Sequence, residues 1–328
     1  MKNRIIEYDI VRFLAITLVF TLHFTSSAIR NLDLILDFDQ SYIKYFGFGV
    51  KLFFTLSAFL MSYKLDSIDV KPNNYIIGRI KRIFPIHFLI FTILFLLAVC
   101  LNSSPEIIRF ISGIFLVDQV FFTNFNMINP IIWSLEVELQ FYFVIYLLLL
   151  IRKNLGIIIK PFAMGVFMLL IFLFFSDLYE NRTLLNYSIY FSFGFFLYEI
   201  EKKISVVKSL IFDLSFLTSI IAIPLILDSN LSILIKDLFA ALFTGIIIFS
   251  SLRIKFFRKI LVNTITLSIG LSSYSFYLLH FAFLEGYLRF VSPIFEFNFY
   301  VDYVIVFSLV SFFSYLSYKF VELNKIFK

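Results

Sequence analysis

Six ionisable side chains interrupt long apolar runs: Arg12 and His23, Lys51, Glu136 and Glu138, and His280. A histidine beside a carboxylate is equipped to take a proton from a hydroxyl. The carboxylate fixes the ring tautomer and stabilises the imidazolium as it forms. The same groups would serve a proton-coupled transporter, so residue type alone does not decide. Spacing narrows the choice. Arg12 and His23 bracket "RFLAITLVFTLHF" and lie eleven positions apart. On a helix that step is about 1100°, which puts both on one face roughly 16 Å apart. Taken alone, Arg12 reads as a snorkelling interfacial cation and His23 as a helix–helix hydrogen-bond partner.

A second run, "WSLEVELQFYF" from Trp133, shifts that balance. Ser134, Glu138 and Tyr142 step by four and form one polar stripe. Counted from the outer surface, Glu138 is expected about 10 Å deep, nearly level with His23, so the two are expected to meet. Glu136 lies about 200° round the helix from Glu138 and is expected to reach an interface or a neighbouring helix. A third run, "SSYSFYLLH", places Ser273, Tyr277 and His280 on one face. His280 is open between a second catalytic group, a binding group and a structural hydrogen-bond partner.

These groups need long apolar elements to position them. Of the 328 residues, 61% are hydrophobic and 15% charged, and the chain carries 48 Phe and 18 Tyr. Only a bilayer accepts that much apolar surface. Ten apolar segments can be marked, near 9–29, 43–63, 84–101, 131–151, 161–176, 185–200, 208–227, 232–250, 264–284 and 300–318. Lys and Arg cluster in alternate loops, as at 64–82, 152–160, 202–208 and 253–259. The intervening loops hold only Arg30, Arg109, Arg182 and Arg289. That alternation predicts an all-α polytopic membrane protein of about ten spans with both termini in the cytoplasm. It also accounts for the net charge of +6 without nucleic acid. The chain is expected to form a single transmembrane domain over 1–328 with no appended soluble domain. Segment 64–83 is expected as an inner loop and 102–130 as an outer one. The first run resembles a signal peptide with "SSA" at 26–28, but Arg12 and His23 are poor residues for a signal core.

The inner loop carries "GRIKRIFP" at 78–85. Arg79 and Arg82, if helical, face one direction with Lys81 nearby, and the planar donors of arginine suit phosphate. Ordinary positive-inside loading explains the charge but not the spacing. No glycine-rich phosphate loop and no zinc-type Cys/His cluster is present, so no metal is expected. Cys100, the sole cysteine, permits no intrachain disulfide and is expected to be inert packing.

Together these pieces resemble the acyltransferase 3 family of integral membrane acyltransferases over most of the chain. "DIVRFLAITLVFTLHF" is similar to the family's first helix, and "GVKLFFTLSAFL" at 49–60 to its second-helix signature. "RIKRIFP" is similar to its cytoplasmic arginine motif, "WSLEVELQFYF" to its glutamate element and "SSYSFYLLHF" to its penultimate helix. The tail "YKFVELN" matches faintly through its glutamate. Departures are Ala58 in place of the usual glycine, Lys51 at an often acidic position, and His87 where an aromatic is common. His87 is expected at the interface.

The resemblance implies transfer of an acyl group from acyl-CoA, commonly acetyl-CoA, to a hydroxyl of a carbohydrate or glycolipid, in the bacterial cytoplasmic membrane. Acyl-CoA is then a donor substrate, with no permanently bound cofactor. His23 matches the family's essential histidine, with Arg12 its basic partner. Glu138 matches the glutamate of the fourth-helix element. Arg79 and Arg82 match the arginine pair proposed to hold the coenzyme, whose arm would rise past Arg12. Ser134, Tyr142, Ser273, Tyr277 and His280 are then candidates for the acceptor side. The competing reading is a transporter or flippase for a glycan or small substrate. Transporters often show inverted repeats and helices broken by paired Gly or Pro, and neither is clear here.

Overall fold

A computed structural model describes residues 5–32, 40–67, 70–101, 106–176, 182–205 and 207–322. Lys2, Arg4, Lys325 and Lys328, which carry part of the charge argument for the termini, lie outside those residues. The described chain is helical and contains no strand. All ten apolar segments fall on helices. Among the described residues, eight helical stretches are long and apolar enough to cross a membrane: Glu7–Leu32, Tyr45–Asp66, Pro72–Cys100, Pro130–Leu155, Leu210–Asp228, Ile233–Ser251, Ser273–Phe295 and Phe299–Glu322. Pro161–Phe175 is apolar but shorter, at 15 residues.

The described residues divide into two compact units, 5–50 with 256–322, and 51–255. The first unit holds α1 (Glu7–Leu32), α11 (Phe256–Leu261), α12 (Thr264–Leu271), α13 (Ser273–Phe290), α14 (Ser292–Phe295) and α15 (Phe299–Ser317). Its core is aromatic. Phe20 meets Phe276, Tyr303 and Phe307 edge-on, with centroids 5.2–5.9 Å away. Such edge contacts suit the ring quadrupole and add to area burial. Small residues set the spacing: a Cβ on Gly270 of α12 would stand 2.2 Å from the Asp9 carbonyl of α1, so any side chain there would push the helices apart.

The second unit holds most of α2 (Phe48–Asp66), then α3 (Pro72–Cys100), α4 (Ile107–Ile114), α5 (Asp118–Phe121), α6 (Trp133–Leu155), α7 (Pro161–Phe175), α8 (Leu184–Glu201), α9 (Leu210–Asp228) and α10 (Ile233–Ser251). Phe141 of α6 stacks on Phe191 of α8 at 4.2 Å, and Phe54 of α2 packs on Phe191 at 5.0 Å. A Cβ on Gly194 would lie 2.3 Å from the Thr55 carbonyl, which makes glycine necessary where α8 crosses α2. Thr55 and Thr244 share a 2.8 Å hydrogen bond between α2 and α10. Arg253 is fully buried and paired with Glu201 at 2.7 Å, and it also donates to the Phe249 and Ile204 carbonyls and lies over the Phe249 ring. A buried cation persists only when paired in this way.

Four expectations change. The arginine motif is not in a loop, because α3 runs unbroken from Pro72 through Pro85 to Cys100. Segment 102–130 is not simply an outer loop. Its described part forms α4, α5 and a 3-10 turn at Pro130–Ile132, and it buries Arg109, Asp118, Gln119 and Asn126. His87 is not interfacial: it is fully buried, with Nε2 3.0 Å from the Gly113 carbonyl of α4. Cys100 is exposed at the end of α3 rather than packed.

Candidate functional site

In the first unit, α1 and α13 bring His23 and His280 together, with ring centroids 5.3 Å apart and planes at 44°. His23 is half-buried and also meets the Phe281 ring edge-on at 5.7 Å. His280 is fully buried, and its Nδ1 lies 2.7 Å from the Tyr277 carbonyl. A carbonyl oxygen only accepts, so this Nδ1 carries the proton and, in the neutral ring, Nε2 presents a lone pair. That Nε2 has no hydrogen-bond partner. Ser273 and Tyr277, on the same face of α13 as His280, are buried with it.

One turn beyond the histidines stands a carboxylate that the sequence reading passed over. Glu285 Oε1 accepts from Ser27 Oγ at 2.5 Å and from Arg30, and Oε2 pairs with Arg289 at 3.0 Å. Its signal was an acidic residue five places after His280, but the apolar segment was ended at 284. At the other end of α1, Arg12 Nη1 pairs with Asp9 Oδ1 at 2.8 Å, and Asp9 is buried. Glu322, the glutamate of the closing "YKFVELN", accepts from Ser275 of α13.

In the second unit, Glu138 Oε1 accepts from Ser57 Oγ of α2 at 2.7 Å and from the Tyr142 hydroxyl. The i, i+4 step that defined the polar stripe thus becomes a real hydrogen bond. Ser134, at the start of the stripe, reaches the Ile131 carbonyl at 3.5 Å. The Tyr142 ring in turn lies 5.1 Å from the Arg79 guanidinium, which also faces the Tyr75 ring at 5.5 Å. Glu138 is therefore one helical turn from the residue that touches the arginine motif. Glu138 and His23 belong to different units, and each has the neighbours named here within its own.

Beside Arg79 is a cavity of about 490 Å³ lined by Lys64, Val70, Lys71, Asn74, Tyr75, Gly78 and Arg79. Among the described residues, three cations and no carboxylate face it. Its rim is fixed by Arg152 of α6, which donates to the Leu65 and Ser67 carbonyls at 2.9 Å and to Val70 at 3.4 Å. The buried Tyr75 hydroxyl has no hydrogen-bond partner. Arg82, one turn further along α3, is exposed and does not line the cavity. Lys64 and Lys71 were hidden in the sequence by the general loading of inner loops with cations.

The remaining polar anomalies have local partners. Glu136 is fully buried and accepts from the Gln119 amide at 2.6 Å, so it braces α5. Lys51 pairs with Asp237 of α10 at 3.2 Å, and Tyr190 donates to the same carboxylate at 2.5 Å. No cluster of three or more His, Cys, Asp or Glu suited to a metal occurs among the described residues.

A family model described as an acyltransferase domain matches residues 5–319, nearly the whole chain. No curated protein and no solved structure matches it.

Proposed function

The chain belongs to the acyltransferase 3 family and is a multi-pass membrane acyltransferase; from that premise we propose that it moves an acetyl group from acetyl-CoA to a carbohydrate hydroxyl. The acceptor in this reading is a cell-surface polysaccharide or lipid-linked glycan, and the enzyme sits in the bacterial cytoplasmic membrane. The observation that carries the reading is the imidazole pair of His23 and His280, one ring half-accessible and the other held in a single tautomer.

In the reaction, the acceptor oxygen attacks the thioester carbonyl, a C–O bond forms and the C–S bond breaks. His23 takes the hydroxyl proton and returns it to the leaving thiolate, or first carries the acyl group itself. His280, with its free Nε2 lone pair, stabilises the proton gained by His23. Glu138 is the second catalytic group, held ready by Ser57 and Tyr142. The cavity of Lys64, Lys71 and Arg79 takes the phosphates of the donor, since three converging cations favour a polyanion. Arg82 guards its approach, and Arg12 is a further candidate for contact with the donor. Ser134, Ser273 and Tyr277 are each candidates for contact with the acceptor.

The test is glycan ester content, measured by mass spectrometry on cells producing the wild type or His23→Ala. Loss of ester in the variant supports the reading; normal ester content would falsify it. A transporter is distinguished by CoA: it releases none from acetyl-CoA, whereas the transferase does so in step with acceptor acylation.

A further inference from the structure

Residues 106–128 are built inside out. Arg109, Asp118, Gln119 and Asn126 are buried, with Asp118 at 0% exposure, while Ile107, Ile108, Phe115, Phe121 and Met127 face outward, Met127 at 91%. Water selects the opposite arrangement. Three observations place this face against hydrocarbon.

The first is depth along α3. Phe110 of α4 stacks between Phe91 and Phe95 at 6.0 and 4.1 Å, and the Gly113 carbonyl reaches His87. His87 is 13 residues before Cys100, so α4 descends about 20 Å along α3 from its end. A Cβ on Gly113 would stand 2.3 Å from the Phe91 ring, so the glycine is what lets the two helices close up.

The second is how the non-helical backbone is satisfied. Within hydrocarbon, irregular backbone survives only when protein groups meet its donors and acceptors. Here Arg109 donates to the Asn124 and Phe125 carbonyls at 2.9 and 2.7 Å, and Gln119 donates to Asn124 at 3.2 Å. Asn126 donates to the Arg109 carbonyl and accepts from the Ile128 amide, both at 2.9 Å. Arg109 is neutralised by Asp118 at 3.2 Å.

The third is a shared apolar exposure. Leu96, Leu97 and Val99 of α3 are exposed, as are Ile107 and Ile108 of α4. The same segment walls a cavity of about 620 Å³, with Glu106, Arg109, Thr123 and Asn124 as polar lining and the exposed Phe121, Phe125 and Met127 beside them.

We propose that residues 106–128 are a re-entrant segment embedded in the bilayer, and that their cavity takes an amphiphilic lipid from it. The hydrocarbon chain lies along Phe121, Phe125 and Met127, and the polar head hydrogen-bonds Glu106, Thr123 and Asn124. This is independent of the reaction assigned above, since His23→Ala leaves the segment untouched.

The test uses the full chain in phosphatidylcholine vesicles, with Cys100→Ser as background and a bimane attached through Met127→Cys or Thr123→Cys. Phe174→Cys on α7 is the lipid-facing control and Asn230→Cys, in the α9–α10 turn, the aqueous one; both are exposed. Replacing the lipid by its dibromo-acyl form is expected to quench positions 127 and 123 as strongly as 174, with iodide quenching only 230. Iodide quenching at 127 overturns the embedding. Protection of 127 from both quenchers means that protein covers the face, and also overturns it. Lipid quenching at 127 with iodide quenching at 123 overturns the lipid-filled cavity.

Discussion

Both units pair charged side chains, and they differ in the groups that stand beside those pairs. In the first, each described arginine meets a carboxylate: Arg12 with Asp9, Arg30 and Arg289 with Glu285, and Arg258 with Glu7 at 3.2 Å. The arginines there are cancelled locally, and two imidazoles stand together beside those pairs. In the second, Lys64, Lys71 and Arg79 converge on one cavity with no carboxylate among the described residues of its wall, and the unit's histidine, His87, is buried against a backbone carbonyl. The first unit is thus equipped for proton transfer and the second for holding an anion. The division predicts that substitutions separate by kinetic constant: first-unit changes lower kcat, while changes at the second unit's cavity raise the donor KM.

The largest effect is expected at His23. A positioned general base contributes about 10²–10⁴ in rate, so His23→Ala is expected to lower kcat by that range and leave the acetyl-CoA KM near wild type. His280→Ala is expected to lower kcat less, again without moving the donor KM. A rise in donor KM in either variant breaks the division. Next comes Arg79→Ala. Charge-assisted hydrogen bonds contribute about 1.5–3 kcal/mol, so the donor KM is expected to rise about 10- to 100-fold with a smaller change in kcat. Steady-state kinetics on purified protein in nanodiscs reads both constants. Tyr142→Phe joins the two effects, because its hydroxyl serves Glu138 and its ring serves Arg79. Losing one hydrogen bond of about 1 kcal/mol while keeping the ring is expected to lower kcat about fivefold and spare the donor KM.

Legibility in the sequence follows the same physical line. The helices, the histidines and the Glu138–Tyr142 stripe were readable, because a polar residue inside an apolar run is costly and the helical period fixes what it can touch. Glu285 and Asp9 were missed because they stand at segment ends, where a charge costs little and so carries no signal. Lys64 and Lys71 were masked by the inner-loop excess of cations. The 106–128 segment was unreadable for another reason. Its mixture of Arg, Asp, Asn and Gln with Ile and Phe is that of an ordinary loop, and only the packing shows which residues face inward. His87 was misplaced with it, since its partner is a backbone carbonyl that composition cannot announce.

The smallest effect is expected at Lys64, and it sharpens the comparison most finely. Lys64 lines the same cavity as Arg79 but is exposed, whereas Arg79 is half-buried between two rings. An ammonium in water acts as a point charge whose reach ends at the Debye length, about 10 Å at 0.1 M salt. Lys64→Gln is therefore expected to raise the donor KM only about two- to threefold at low salt, an increment typical of one exposed pair. The increment should vanish near 1 M salt, while the Arg79→Ala effect largely survives because its guanidinium is shielded from ions by the rings. Measuring both variants across salt separates the two contributions. A Lys64→Gln effect that persists at high salt would mean that the lysine makes a dry, direct contact with the donor, and the anion site would then extend from the half-buried part of the cavity to its rim.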